Sequence, residues 1–260
     1  MLLRNPIALV ILGLLFIPLE RIFAIRKQQV FRPGWRTDVM HFFASNLLEQ
    51  LALVLAIGTL LTFLDPLVSP ALQEGVASQR PLVQFFEALL IVELIGYFTH
   101  RAFHSVPWLW RIHAVHHSSE HMDWLASLRV HPLDQTITRA LQFIPLYLLG
   151  FTKETFGGLA LIVGLWAILN HANVRWRFGF LERIIATPHF HHWHHAGDAR
   201  SNYAGLFPWV DSLFGTRHQV EPWPERYGSD TPMPDGWHRQ VLFPFRAVPA
   251  VAPVPSEPRR

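Results

Sequence analysis

The chain contains no cysteine. That excludes disulfides, thiol nucleophiles and cysteine-ligated zinc or iron–sulfur sites, so any metal must be held by His, Asp or Glu. Charge is also scarce: Asp, Glu, Lys and Arg make up 16% of the 260 residues, while 50% are hydrophobic. That balance is apolar for a soluble domain and ordinary for a membrane protein. No GxGxxG is present, so no dinucleotide-binding motif is in evidence. No HExxH is present either, the motif in which a zinc hydrolase places its general base. The formal charge of +3 is mildly basic. The positive residues lie beside apolar segments, which fits retained cytoplasmic loops better than a nucleic-acid surface.

Long apolar runs are plentiful. A bilayer core about 30 Å thick needs roughly 20 apolar residues in a helix. Pro6 to Ala24, His41 to Leu64 and Pro81 to Phe103 meet that requirement. The first lacks a small-residue cleavage site and is followed by arginines, so it reads as an anchor rather than a signal peptide. Leu141 to Gly150 and Phe156 to Leu169 form a shorter pair joined by FTKET, the first of them short enough to be re-entrant. Glu20, Glu49 and Glu93 lie within apolar segments, as supports for a site or as paired structural carboxylates. The expected fold is an all-α integral membrane bundle of four to five embedded helices with a cytoplasmic helical cap. The expected division is 1–80 for the N-terminal helices, 81–217 for the catalytic part and 218–260 for a C-terminal extension. Its last stretch, FPFRAVPAVAPVPSEPRR, is Pro-rich and expected to be disordered.

Arg21, Arg26, Lys27, Arg32 and Arg36 follow the first span, whereas Asp65 to Arg80 has a single Arg. The positive-inside rule puts the first loop in the cytoplasm. Alternation along the chain then gathers residues 100–131, 171 and 189–195 on that same side, and these are the histidine-dense segments.

Their spacing carries chemistry. His100 and His104 are four apart; His113, His116 and His117 stand at i, i+3 and i+4; His191, His194 and His195 repeat that pattern. Each set shares a helical face. Eight imidazoles exceed the needs of one metal but suit two, and imidazole serves zinc, copper, iron and nickel alike. Isolated histidines such as His41, His218 and His238 read as surface or helix-end residues. His189, His192 and His121 lie off the repeated pattern and are weaker candidates.

With these boxes, HHSSEHMDWLASLRVHPLD (His116 to Asp134), NHANV, TPHFHHWHH and NYAGLFPWVDSLFGT, the sequence resembles the fatty acid hydroxylase superfamily over residues 85 to 217. Within it, the resemblance is to the bacterial sterol-desaturase-like branch. It implies a non-haem di-iron centre, with O2 as co-substrate, that hydroxylates or desaturates a C–H bond of a sterol, fatty acyl chain or ether lipid. It implies the eight histidines of the boxes as ligands, His171 as a ninth, and His131 as ligand or supporting residue. Glu93, Glu120, Asp123, Asp134, Asn170 and Asp198 are candidates to orient the rings. No catalytic residue beyond the ligands is expected. The chain shows no electron carrier of its own, so a ferredoxin, cytochrome or reductase partner is implied, with Arg217 to Arg239 as a docking candidate. The expected location is a bacterial inner membrane. Tryptophans 108, 110, 124, 193, 209, 223 and 237 fit an interfacial belt. A zinc-dependent membrane hydrolase and a non-catalytic metal- or lipid-binding membrane protein are the alternatives.

Overall fold

The structure, a computed structural model, describes residues 6–218 and 220–246. Among the described residues, eleven α-helices run in order: α1 (Pro6–Ile22), α2 (Trp35–Met40), α3 (Asn46–Leu64), α4 (Pro70–Ala77), α5 (Pro81–Ser105), α6 (Pro107–His117), α7 (Pro132–Leu149), α8 (Lys153–His171), α9 (Pro188–His194), α10 (Pro208–Leu213) and α11 (Trp237–Leu242). No β-strand forms among the described residues; isolated bridges join Ala24 to Val174 and Ala196 to Gly228.

Proline sets many of the helix starts. Pro70, Pro81, Pro107, Pro132, Pro188 and Pro208 each open a helix. At that position the missing N–H has no intrahelical partner to lose, and the fixed φ suits the helix. α2 continues through a π-helical turn, His41–Ser45, into α3, giving an apolar rod of 30 residues. This rod, α5 and α8 are the three helices long and apolar enough to cross a membrane among the described residues.

Burial on α3 is inverted. Asn46 and Glu49 are its buried residues, while Leu47, Leu51, Val54, Leu55 and Phe63 are exposed. Such a surface suits lipid rather than water. Glu49 turns inward to Arg139 of α7 at 2.8 Å. α5 and α8 are more central. Ala88, Leu89 and Val92 of α5 meet Leu146, Phe151 and Leu159 in one core cluster. Leu12 and Phe16 of α1 meet Trp124, Ile168 and Val174 in another.

Several expectations change. The short segment expected at Leu141 to Gly150 is the second half of α7, an 18-residue helix capped by the His131 ring at its start. The turn is tighter than FTKET: Gly150 takes a left-handed φ of 92°, Thr152 caps α8, and Lys153 to Thr155 lie in its first turn. His41 is no surface residue but is 1% exposed, bonded to Ser45 and Gln240 at 2.8 and 3.0 Å. Of the tryptophans, Trp108 and Trp209 are exposed and Trp124 is in the core, while the indoles of Trp110, Trp193 and Trp237 donate to Thr231, Val220 and Ser45. The Pro-rich end begins as an ordered 3₁₀ turn, Phe243–Phe245, with Phe243 and Pro244 buried. Its remainder, from 247, lies outside the described residues.

Candidate metal centre

Four helices meet at one end of the bundle and each brings histidines. α5 supplies His100 and His104 from its last turns; α6 supplies His113, His116 and His117; α8 ends at His171; α9 carries His191 and His194, with His195 at its C-cap. Thr187 caps the start of α9 through its hydroxyl, which fixes where those rings begin.

The nine rings sort into two groups. His100, His104, His113, His117 and His194 form one; His116, His171, His191 and His195 form the other; within each, ligand atoms lie within 4.8 Å of one another. The two groups abut, with the His117 and His195 rings stacked at 4.2 Å. The i, i+3, i+4 spacing predicts one shared face, but the structure divides it. α6 sends His113 and His117 to one group and His116 to the other, and α9 sends His194 one way and His191 and His195 the other.

The outer ring nitrogens are held mostly by backbone. His100 Nδ1 donates to the Tyr203 carbonyl at 2.8 Å, His116 to Arg129 at 3.1 Å, His171 to Ala167 at 2.7 Å and His194 to Ser201 at 2.8 Å. A carbonyl only accepts, so each of these Nδ1 atoms carries the proton and each Nε2 carries a lone pair. His113 Nδ1 is held instead by Asp134 at 2.6 Å. The other nitrogens converge: His100 Nε2 lies 3.0 Å from that of His113, and His117 Nε2 lies 3.0 Å from that of His194. In the second group, His171 Nε2 lies 3.1 Å from His116 Nε2 and 3.2 Å from His191 Nε2.

His116 and His171 therefore point lone pair at lone pair across 3.1 Å inside the protein. Without a cation between them that contact is repulsive. His104 Nε2 is buried and has no hydrogen-bond partner among the described residues. Burial and neighbouring imidazoles hold the α6 and α9 rings, His113, His116, His117, His191, His194 and His195, well below the usual histidine range. They are neutral, as metal ligands must be. All-nitrogen donors, converging and uncharged, fit a first-row transition metal.

His131 is not brought to either group. Its Nε2 bonds the Val241 carbonyl at 2.9 Å and its Nδ1 accepts from Leu133 N–H at 3.1 Å, so both nitrogens are occupied in capping α7 and tying down α11. His192 is also engaged elsewhere, with Tyr227 and the Ala172 carbonyl; burial pushes its pKa down to about 3. Of the six candidate supports, Asp134 alone bonds a clustered ring. Glu93 accepts from Leu206 and Phe207 N–H, and Asp198 from Ser229 and Asp230. Asn170 donates to Gly205, and Glu120 is exposed. Asp123 is gripped by Arg32 at 2.7 and 2.8 Å; Arg32 and Arg129 also clasp Asp38 at 2.6 and 2.5 Å. Sequence reasoning missed this buried quartet, which stations Arg129 so that its carbonyl meets His116.

These features define a class: a membrane helix bundle with two adjoining all-histidine groups that could each hold a metal ion. A sequence model described as fatty acid hydroxylase matches residues 85–216. The chain belongs to the fatty acid hydroxylase family. Ornithine lipid hydroxylase OlsE of Rhizobium tropici is 34% identical over 161 residues, 60% of this chain and 49% of that protein. Alkylglycerol monooxygenase of Danio rerio is 33% identical over 132 residues, 50% of this chain and 29% of that one. A Delta(7)-sterol 5(6)-desaturase of Gibberella zeae is 29% identical over 131 residues, 48% and 39% of the two chains. The chain thus matches half or less of the length of these relatives. No solved structure is a significant match.

Proposed function

We propose that this chain is a membrane-bound, O2-dependent oxidoreductase that hydroxylates or desaturates a C–H bond of a lipid. The two histidine groups would hold two iron ions. The observation that carries this reading is the opposed lone pairs of His116 and His171, which the second ion would satisfy. Iron there would supply O2 activation and oxidation of an unactivated C–H bond, with two electrons from a partner.

The chain's own part is to hold and to orient. His100, His104, His113, His117 and His194 would bind one ion, and His116, His171, His191 and His195 the other. Asp134 and the carbonyls of Arg129, Ala167, Ser201 and Tyr203 fix ring orientation and tautomer, the usual task of groups behind metal ligands. Phe103, 1% exposed, stacks on the His113 ring and would help to keep water from it. The names of the relatives favour a polar membrane lipid, such as an amino-acid-headed or ether lipid, over a soluble substrate. The arginines after α1 favour a cytoplasmic location for the centre, in a bacterial inner membrane, facing a ferredoxin, cytochrome or reductase donor.

Elemental analysis and Mössbauer spectroscopy on iron-57-grown protein from native-like membranes test this. Two irons per chain in a coupled cluster, and a mass gain of one oxygen in a lipid extract, are expected. Folded protein that neither retains iron nor takes it up on reconstitution would overturn the reading.

A further inference from the structure

A face away from the histidines remains to be explained. The 3₁₀ helix Gly179–Arg183 packs beside α10. Together they expose Phe180, Leu181, Ile184, Trp209 and Leu213, with Phe180 at 72% and Leu213 at 68%. The same strip surrounds a surface cavity of about 580 Å³ lined by Arg177, Gly179, Glu182, Arg183, Arg217 and Glu221.

The height of this strip follows from its ties to α5 and α8. Glu93 of α5 accepts from Leu206 and Phe207, the residues just before α10. Tyr97 bonds the Thr216 hydroxyl at 2.8 Å, and its ring stacks on Phe214. Trp166 of α8 donates to the Ala186 carbonyl at 2.9 Å. At 1.5 Å per residue, Glu93 lies about 10 Å along α5 from His100, and Trp166 about 7.5 Å along α8 from His171. The strip therefore lies against the histidine-bearing halves of two membrane spans, from the middle of α5 and from about five residues short of the end of α8.

Its cavity is rich in arginine. Arg177 grips Glu182 through two N–H groups, at 2.8 and 3.2 Å, and also pairs with Glu221. Arg183 and Arg217 add two more guanidiniums to the cavity lining, and the buried Asp211 carboxylate acts on Arg217 from behind. Burial, and then the nearby Arg183, depress the Arg217 pKa, against the opposing pull of Glu182 and Asp211. Arg217 NH2 donates to the Glu182 carbonyl at 3.1 Å, which holds it at the cavity.

We propose that the face formed by residues 177–184 and 208–217 lies in the membrane interface, where Arg183 and Arg217 hold the phosphate of an anionic bilayer phospholipid. Large apolar side chains beside clustered arginines, on the histidine-bearing side of two spans, match an acyl boundary and the phosphate layer next to it. An acidic protein would leave Phe180 and Leu213 without a partner. The inference needs the membrane spans but not the metal chemistry, so either can fail alone.

The absence of cysteine makes the test simple: the full chain with Leu213→Cys accepts one fluorescent label. In phosphatidylcholine vesicles the label should be quenched by brominated acyl chains and shielded from aqueous iodide. Quenching by iodide alone would overturn the placement and point to a protein partner. For the charge, unfolding temperature is followed in detergent with short-chain phosphatidylglycerol, short-chain phosphatidylcholine or inorganic phosphate. Phosphatidylglycerol should stabilise most. Arg183→Gln should weaken its apparent affinity about fivefold, the effect of one basic charge at an anionic surface. Metal content should not change. An unaltered response in the variant, equal stabilisation by phosphatidylcholine, or inorganic phosphate acting as well as phosphatidylglycerol would each overturn the assignment.

Discussion

At the scale of single residues, Asp134 and His131 separate support from ligation. Among the described residues, Asp134 is the one side chain outside the two groups shown bonding a clustered ring. Asp134→Asn should lower metal affinity about 10- to 100-fold while the far-ultraviolet circular dichroism stays unchanged. His131 resembles a family position and stands just before α7, yet both its nitrogens are engaged away from the centre. His131→Ala should leave the metal-to-protein ratio intact and cost about 1 kcal/mol, the typical value of a helix N-cap, seen as a lower midpoint of thermal unfolding. Loss of a metal ion in that variant would restore His131 to the ligand set. The box histidines were legible because rings repeated at i, i+3, i+4 on one side of a membrane imply convergence. The carbonyls behind them were not, since a main-chain acceptor leaves no mark on residue type. The division of α6 and α9 between two groups was hidden for a related reason: helical spacing shows which rings share a face, not which neighbour each ring meets.

At the scale of elements, the long apolar helices could be read from length and composition, whereas α7 could not. Its first half carries Asp134, Thr136 and Arg139, polar residues that meet partners within the protein, so a search for apolar runs finds only its second half. Gly150 ends it. A Cβ there would lie 2.5 Å from the Gln73 Cα, and the φ of 92° is left-handed. Gly58, within α3, has nothing within 4 Å. Gly150→Ala should therefore cost at least about 1–3 kcal/mol. Gly58→Ala should be neutral or gain up to about 1 kcal/mol, as expected for a helix interior. Thermal unfolding of the two variants side by side checks the contrast.

At the scale of the whole molecule, the histidines are brought together from four helices, so a metal ion held there would bind the fold and not merely a loop. A ligand that binds only the folded chain stabilises it, by about 2.7 kcal/mol when present at 100 times its dissociation constant. Adding ferrous iron to metal-free protein should raise the unfolding temperature, and a chelator should reverse it. The membrane class and the gathering of the histidines were foreshadowed by composition and histidine density. The clasp of the C-terminal segment was not. Gln240 bonds His41, Val241 bonds His131, and the Phe243 carbonyl accepts from Arg111 at 3.0 Å; these links join residues far apart in sequence and follow no periodic pattern.

The carbonyls behind His100, His116, His171 and His194 have a consequence for how such a protein varies. A codon change can remove a carboxylate, but no codon change removes a carbonyl. Residues 129, 167, 201 and 203 can thus drift, so far as this role is concerned, while the rings they steady keep their aim. What the lineage cannot tolerate is a shifted main chain: an insertion beside Ser201, or a proline within the last turn of α8, would disturb rings it never touches. Substitution scans will find the ligands and Asp134; length variants will find the rest.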